Sequence, residues 1–295
     1  MGLSNATAYK MGCQLSIRLP RDFRGRMRRV ASAIQHPAYI SQWFSPIAFV
    51  RWREFQYAFS SLRKLGIVPR RLLDIGSPKL FPITVAYEWP DCRVDAIDLV
   101  EPDLRELEDG KKQLSLSNLN PHKMDARTLD FPDHAFDAIT SISVVEHISP
   151  EDGGDSQAMA EMRRALKPGG VAIIVVPFSR TYFVEYVDGA VYGRQSEGAG
   201  KNFYQRFYDC DRLQRDIIDA SGMELIELLF VNERHPSISP HKRYAKAIAM
   251  DHNQIVRYGL LYPVLSRILL SAPQPLERCR KPYIACLTLR RPTVS

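Results

Sequence analysis

The sequence contains few cysteines and no long apolar run. Its 295 residues include five cysteines, an odd number, and no two of them have Cys-x-x-Cys spacing. This pattern supports neither a disulfide framework nor a zinc site, and it indicates a reducing, cytoplasmic compartment. No apolar run approaches the ~18 residues of a membrane-spanning helix. Residues 1–13 also lack the apolar core of a signal peptide.

Acidic residues are scarce in the first quarter of the chain. Residues 1–71 contain 13 Lys or Arg but only Asp22 and Glu54, whereas the whole chain has a net charge of +7. Such a basic segment fits either a solvated helix face or an anionic partner. Because the sequence shows no RNA-binding module or base-flipping signature, we expect no specific nucleic acid. Peripheral membrane contact and an oligomer both stay open.

Apolar runs bounded by turn residues recur along the chain, with helical segments between them. This pattern predicts strands over residues 71–75, 93–98, 122–125, 138–145, 171–177, 223–231 and 283–289. Strands that alternate with helices in this way predict an α/β fold with parallel pairing and right-handed crossovers. Residues 178–210 differ, since they are aromatic, glycine-rich and without a clear period.

The same pattern divides the chain into three parts. Residues 1–66 form a basic helical extension or lid, which ends with an amphipathic helix capped by Gly66. The α/β core occupies residues 67–235 together with 282–291. Residues 236–281 form a helical insertion, because a plain loop of that length is unusual between two strands. Its apolar stretch 258–270 fits a lid, a dimer contact or a helix lying on a membrane surface.

A turn after the first predicted strand has the composition of a nucleotide-binding turn. Asp74 and Gly76 form its start, and Asp98 ends the next strand 22 residues beyond that glycine. This is close to the ~20 residues expected for an acidic group that binds a ribose hydroxyl. However, Pro78 stands where a dinucleotide fingerprint has its second glycine, which disfavours a pyrophosphate cofactor and a nicotinamide-dependent oxidoreductase.

An ordered series of short motifs indicates a family. It comprises Leu73-Asp74-Ile75-Gly76, Asp98, Leu129-Asp130-Phe131-Pro132-Asp133, Phe136-Asp137, Val145-Glu146-His147-Ile148 and Arg164-Ala165-Leu166-Lys167-Pro168-Gly169-Gly170. Over residues 70–177 this series resembles the class I S-adenosylmethionine-dependent methyltransferases, in particular their small-molecule branch. The resemblance implies a Rossmann-like, doubly wound sheet of seven strands. That sheet is mostly parallel, with an antiparallel last strand and helices on both faces.

The resemblance also implies a cofactor, S-adenosyl-L-methionine, and a set of residues that bind it. Transferred to this sequence, the set is Asp74, Ile75, Gly76, Ser77, Asp98, Leu99, Asp125, Ala126 and Ser143. Asp98 would accept hydrogen bonds from the ribose hydroxyls, and Asp125 would meet the adenine amino group. His147 is a candidate base, with a packed, hydrogen-bonded role as its alternative. We expect no metal.

The acceptor is predicted less directly than the cofactor. Aromatic and arginine side chains after the fifth strand suit a flat or anionic ligand, so we expect Tyr182, Tyr186, Tyr204 and Arg206 to bind a lipid-like or aromatic acceptor. Pro78 and Leu80 depart from the family's glycine-rich turn. They leave open an alternative in which the fold has lost its cofactor and serves as a binding or scaffold protein. Lys79 either lies in solvent or pairs with the cofactor carboxylate.

Overall fold

The computed structural model describes residues 4–17, 47, 49–66, 68–188, 191, 201–234 and 262–293. The strands are β1 (Arg71–Ile75), β2 (Arg93–Asp98), β3 (Leu119–Lys123), β4 (Phe136–Ile142), β5 (Leu166–Pro177), β6 (Phe183–Val187), β7 (Asn202–Phe207), β8 (Glu224–Asn232) and β9 (Pro282–Arg290). Seven of them form one sheet in the order β3-β2-β1-β4-β5-β9-β8. Pairing is parallel from β3 to β5, and β9 runs antiparallel to both of its neighbours. The predicted fold class is therefore confirmed.

Helices cover both faces of this sheet. They are α1 (Asn5–Ile17), α2 (Arg51–Lys64), α3 (Leu80–Glu88), α4 (Glu101–Leu114), α5 (Gly154–Ala165), α6 (Cys210–Arg212), the π-helix Leu213–Asp219, and α7 (Tyr262–Leu269). The first four contribute to one buried cluster, and α5 and the π-helix contribute to the other. Among the described helices, none is both long and apolar enough to cross a membrane.

The two clusters follow from the alternation of side chains along the central strands. Ile173 and Val175 of β5 face the first cluster, while Ile174 and Val176 face the second. A strand that is apolar on both faces must be covered on both, which explains the continuous apolar run of β5. In the first cluster the rings of Phe59 on α2 and Phe81 on α3 stack at 4.8 Å between centroids, so α2 belongs to the core.

Several boundaries differ from those predicted. β3 begins three residues before the predicted start, and β5 begins at Leu166, directly after α5. Residues 178–210 are not irregular throughout, because β6 and β7 pair as an antiparallel hairpin. The rings of Phe183 and Phe207 stack across this hairpin at 4.4 Å between centroids. Residues 18–46 of the predicted basic extension and most of the predicted insertion lie outside the described residues.

Candidate active site

A cavity of about 600 Å³ opens at the carboxyl ends of β1, β2 and β4. Parallel strands of an open α/β sheet place their ligand sites at this edge, where the turns that follow the strands converge. Eight of the sequence-predicted residues line the cavity, namely Ile75, Gly76, Asp98, Leu99, Asp125, Ala126, Ser143 and His147. The sequence analysis missed Ile47, Arg51 and Phe55, which reach the cavity from the start of α2 and the residues before it.

Gly76 forms the turn after β1 at a point where a side chain does not fit. Its φ is +61°, and its N–H donates to the carbonyl of Ile97 at 2.9 Å. A Cβ atom built at this position would lie 2.9 Å from Cγ1 of Val144. The turn therefore needs glycine both for its left-handed backbone and for the close approach of the turn after β4. This single glycine keeps the backbone exposed to the cavity although Pro78 follows two residues later.

Asp74 and Ser77 lie beneath the cavity and fasten the turn to β4. The Thr140 hydroxyl donates to the Asp74 carboxylate at 2.6 Å, and the Ser77 N–H donates to it at 3.2 Å. The Ser77 hydroxyl in turn accepts from the N–H of Ile142 at 3.0 Å. Burial raises the pKa of Asp74 to about 6, although these hydrogen bonds act in the opposite direction. Neither side chain lines the cavity, so both act by holding the turn in place.

Lys79 lies inside the site and not in solvent. Its side chain is 6% exposed, and its ammonium donates to the carbonyls of Gly76 at 3.2 Å and Ser77 at 3.1 Å. The same ammonium forms an ion pair with Asp98 and lies 3.6 Å from Asp103. Asp98 also accepts from the N–H of Val100 at 2.8 Å. Because its two oxygens have different partners, the carboxylate has a fixed orientation at the cavity wall.

Asp125 lines the same cavity just after β3 and is held there by Arg127. The guanidinium contacts both carboxylate oxygens, at 3.1 Å from Nε and 2.6 Å from Nη2. These hydrogen bonds lower the pKa of Asp125, which keeps it ionised. Arg127 also donates to the carbonyl of Ser149 at 2.8 Å. Ala126 is buried beside this pair, and Leu99 is 55% exposed at the rim.

Ser143 connects the end of β4 to α2. Its hydroxyl donates to Glu54 at 2.8 Å, and Arg51 donates to the other oxygen of that carboxylate at 2.5 Å. Glu54 is only 2% exposed. Glu54 lies within α2, directly before Phe55, and gave no sequence signal because its contact joins residues 89 positions apart. The basic extension thus contributes a polar group to the floor of the site.

His147 lies at the cavity wall with a defined ring orientation. Its Nδ1 is 2.7 Å from the carbonyl oxygen of Tyr204, and since a carbonyl only accepts, Nδ1 carries the proton. In the neutral ring Nε2 is then the basic nitrogen. Nε2 lies 3.7 Å from Oε1 of Glu146, a residue that is 1% exposed. Burial raises the pKa of Glu146 to about 8, so this neighbour is protonated at neutral pH.

The four residues predicted to bind an acceptor do not line this cavity. Tyr204 lies against the His147 ring at 5.0 Å between centroids, and Tyr186 donates its hydroxyl to Glu151 on the surface. Tyr182 packs under the guanidinium of Arg212. Arg206 is 1% exposed and donates to the backbone carbonyls of residues 146, 148, 150 and 151. In this position Arg206 braces the segment that carries His147.

Comparison with known protein families gives a match to the central part of the chain. Residues 73–174 match the family model described as a methyltransferase domain. The chain is also 31% identical over 134 residues to the ubiquinone/menaquinone biosynthesis C-methyltransferase UbiE of Burkholderia mallei, and equally to that of Burkholderia thailandensis. The alignment covers 44% of this chain and 51% of the relative, so the chain spans about half the length of the curated relatives it matches.

Solved structures share the fold over most of the chain. A coclaurine N-methyltransferase bound to N-methylheliamine and SAH superposes with a TM-score of 0.54 at 11% identity, covering 97% of this chain and 94% of that one. Phospholethanolamine N-methyltransferase 2 of Haemonchus contortus gives a TM-score of 0.50 at 13% identity, covering 92% and 60%. At these low sequence identities, the similarity shows a shared fold alone.

Proposed function

We propose that this chain, whose residues 73–174 match a methyltransferase domain, is a class I S-adenosylmethionine-dependent methyltransferase that transfers a methyl group to a small-molecule acceptor. The observation that supports this most directly is the position of Asp98. Its carboxylate stands at the end of β2, on the wall of the cavity that Gly76 opens. An acidic residue at this point suits a ribose, and the cavity is large enough for a nucleoside ligand.

The residues at this edge fit the cofactor. Gly76 leaves the turn without a side chain, which gives the methionine portion access to the backbone. Asp98 would accept from the ribose hydroxyls, and Asp125 would accept from the adenine amino group. Lys79 would carry the positive charge that a methionine carboxylate needs. When bound, S-adenosylmethionine supplies an activated methyl group on a sulfonium, so the protein mainly orients donor and acceptor.

We propose an aromatic or lipid-like acceptor. Ile47, Phe55 and Val144 give the cavity an apolar wall beside Ser143, which suits a flat or greasy molecule better than a charged one. The name of the bacterial relative describes carbon methylation in quinone biosynthesis, which belongs to the same chemical class. Arg51 reaches the same part of the cavity and would orient an oxygen of such an acceptor.

His147 would serve as the base where the acceptor must lose a proton. The carbonyl of Tyr204 holds the proton on Nδ1, so Nε2 is the nitrogen that accepts one. Glu146 precedes His147 in the segment that follows β4, and Arg206 donates to the carbonyl of Glu146. Arg206 thereby holds this segment, and the His147 ring with it, in position. Phenols and quinols need such a proton acceptor, whereas amines that are already neutral do not.

We place the reaction in the cytoplasm, with peripheral contact to a membrane if the acceptor is lipid-like. The four cysteines whose side chains are described, Cys92, Cys210, Cys279 and Cys286, are free thiols. Free thiols suit a reducing compartment. The basic N-terminal extension would supply attraction to anionic headgroups.

Calorimetric titration with S-adenosylmethionine and with its demethylated product tests the proposal. We expect micromolar binding by the full chain, lost in Asp98→Asn and retained in Asp91→Asn, a variant at an exposed position before β2. If the folded wild-type protein binds neither ligand, the scaffold alternative replaces the enzyme. Where binding is found, phenolic and prenylated quinol acceptors are screened with His147→Gln. We expect that variant to bind the cofactor normally and to turn over about a hundredfold more slowly.

A further inference from the structure

Arg127 connects two parts of the wall of the carboxyl-end cavity. Its Nε and Nη2 donate to the carboxylate of Asp125, just after β3, while its Nη1 donates to the carbonyl of Ser149 at 2.8 Å. Ser149 lies 22 positions further along the chain, in the segment that follows β4. All three residues line the cavity. One guanidinium therefore holds the turn after β3 and the segment after β4 at the same time.

The shape of this guanidinium makes the two contacts depend on each other. Its donors have fixed directions in one plane, and a contact with both oxygens of a carboxylate is stronger than a single neutral hydrogen bond. Asp125 also accepts from the backbone N–H of Arg127 at 2.9 Å, so the carboxylate and the guanidinium belong to one turn. A ligand group that fixes the Asp125 carboxylate thereby fixes the direction in which Nη1 points at Ser149.

The segment that Ser149 belongs to carries His147 and has two arginine braces. Arg206 takes the carbonyls of residues 146, 148, 150 and 151, and Arg127 takes the carbonyl of residue 149. The Arg206 side chain is 1% exposed and pairs with Asp155, whereas the Arg127 side chain is 34% exposed and lines the cavity. Arg206 is therefore fixed by the fold, and Arg127 is a brace that a bound ligand can reach.

We propose that Arg127 is a positioning residue that couples the nucleoside end of the cavity to His147, by transmitting ligand contact at Asp125 to the carbonyl of Ser149. This inference rests on the proposed function, in which the adenine amino group donates to Asp125 and His147 accepts a proton. With adenine in place, both braces of the His147 segment are fixed. The cofactor thus completes the geometry of the base, and it binds before the acceptor.

Hydrogen exchange followed by mass spectrometry, with and without saturating S-adenosylhomocysteine, tests this coupling without an acceptor. The peptide to follow spans residues 144–156, where the N–H groups of His147, Ile148 and Gly154 donate to backbone carbonyls. We expect the ligand to slow exchange of this peptide by about tenfold in the wild type, as stabilising one charge-assisted hydrogen bond would. Arg127→Met should still bind the ligand in calorimetry, because Asp125 keeps its charge, but should lose most of this slowing.

Arg164→Met is the matched control. The Arg164 side chain is 31% exposed, pairs with Glu161, and donates to the carbonyls of Leu129 and Phe131. None of its hydrogen bonds within the described residues reaches the segment 146–151. We therefore expect the ligand to slow exchange of the 144–156 peptide in this variant as it does in the wild type.

Arg127→Lys separates charge from geometry. Lysine keeps the positive charge but lacks the planar fork, so we expect this variant to lose the slowing as Arg127→Met does. No binding of S-adenosylhomocysteine by the folded wild type would overturn the proposed function, and this inference with it. Binding that slows exchange equally in the wild type and in either Arg127 variant would overturn the coupling alone and leave the proposed function in place.

Discussion

The ammonium of Lys79 and the carboxylate of Asp98 form an ion pair within the wall of the carboxyl-end cavity. Asp98 ends β2, and Lys79 lies between the neighbouring strand β1 and α3, 19 positions earlier in the sequence. Lys79 stands within the turn that departs from the glycine-rich pattern, and its side chain folds back over that turn to reach the next strand. The departure therefore places a charged group at the point where the cofactor ribose and carboxylate are proposed to bind.

The Lys79–Asp98 pair should contribute more to stability than a surface pair. Lys79→Met leaves Asp98, whose side chain is 10% exposed, without its counter-charge, so we expect the free energy of unfolding to fall by about 3 kcal/mol. Lys167→Met breaks the more exposed pair with Asp137 and should cost less than about 1 kcal/mol. Urea unfolding followed by circular dichroism measures both. Equal losses would show that burial of the first pair has no energetic effect.

Gly76→Ala should destabilise the protein through two separate causes. The positive φ strains any L side chain, and the new Cβ meets Val144 at 2.9 Å, so we expect a loss of about 2–3 kcal/mol. Gly66→Ala has the same backbone strain, with φ of +73°, but meets no atom within 4 Å. It should cost only about 1 kcal/mol. Adding Val144→Ala to Gly76→Ala should restore part of the difference, and no restoration would count against the contact.

Glu146→Gln should change how stability depends on pH. Folding raises the pKa of Glu146 from 4.5 to about 8, so the folded state holds a proton that the unfolded state releases. Its contribution to the free energy of unfolding is fully present below pH 4.5 and is lost as the pH rises through about 8. Glutamine does not titrate. We therefore expect the stability of the variant relative to wild type to rise between pH 5 and 9, by on the order of a few kcal/mol.

Glu161→Gln is the control, because the stability of this variant relative to wild type should change with pH in the opposite direction. Hydrogen bonds from Arg164 lower the pKa of Glu161, so its contribution is present above the unfolded pKa and is lost as the pH falls through the folded one. That variant should be less stable than wild type at neutral pH and should approach it in acid. Unfolding midpoints in urea across the pH range measure both variants. A pH-independent difference for Glu146→Gln would contradict a protonated Glu146.

Arg206→Lys should act on the segment after β4. Lysine cannot reproduce the planar fork that reaches Ile148 at 2.9 Å and Pro150 at 2.7 Å, so we expect a loss of about 2–4 kcal/mol. Hydrogen exchange at residues 146–151 should quicken as well. Arg212→Lys, which alters a half-buried stacking contact with Tyr182, is the control and should cost less than about 1 kcal/mol. If Arg206 instead bound the acceptor directly, KM would rise while stability stayed unchanged.

The sequence by itself determined the sheet and part of the lining of the carboxyl-end cavity. The apolar run of β5 must be buried on both faces of the sheet. In an open parallel sheet, a residue that follows the carboxyl end of a strand lies at the edge where ligands bind, which applies to Gly76 after β1 and Asp98 at the end of β2. Gly76 and Asp98 could therefore be located from strand ends, whereas Asp125 and His147 were placed by the resemblance to the methyltransferase family. These are local signals, because each depends on one strand and the turn that follows it.

Only the tertiary structure decided which side chains complete the site. Glu54 reaches Ser143 across 89 positions, and Arg206 turns inward to backbone carbonyls although its aromatic neighbours suggested a ligand wall. Composition cannot distinguish a guanidinium that faces a ligand from one that braces a loop, since both need the same residue type.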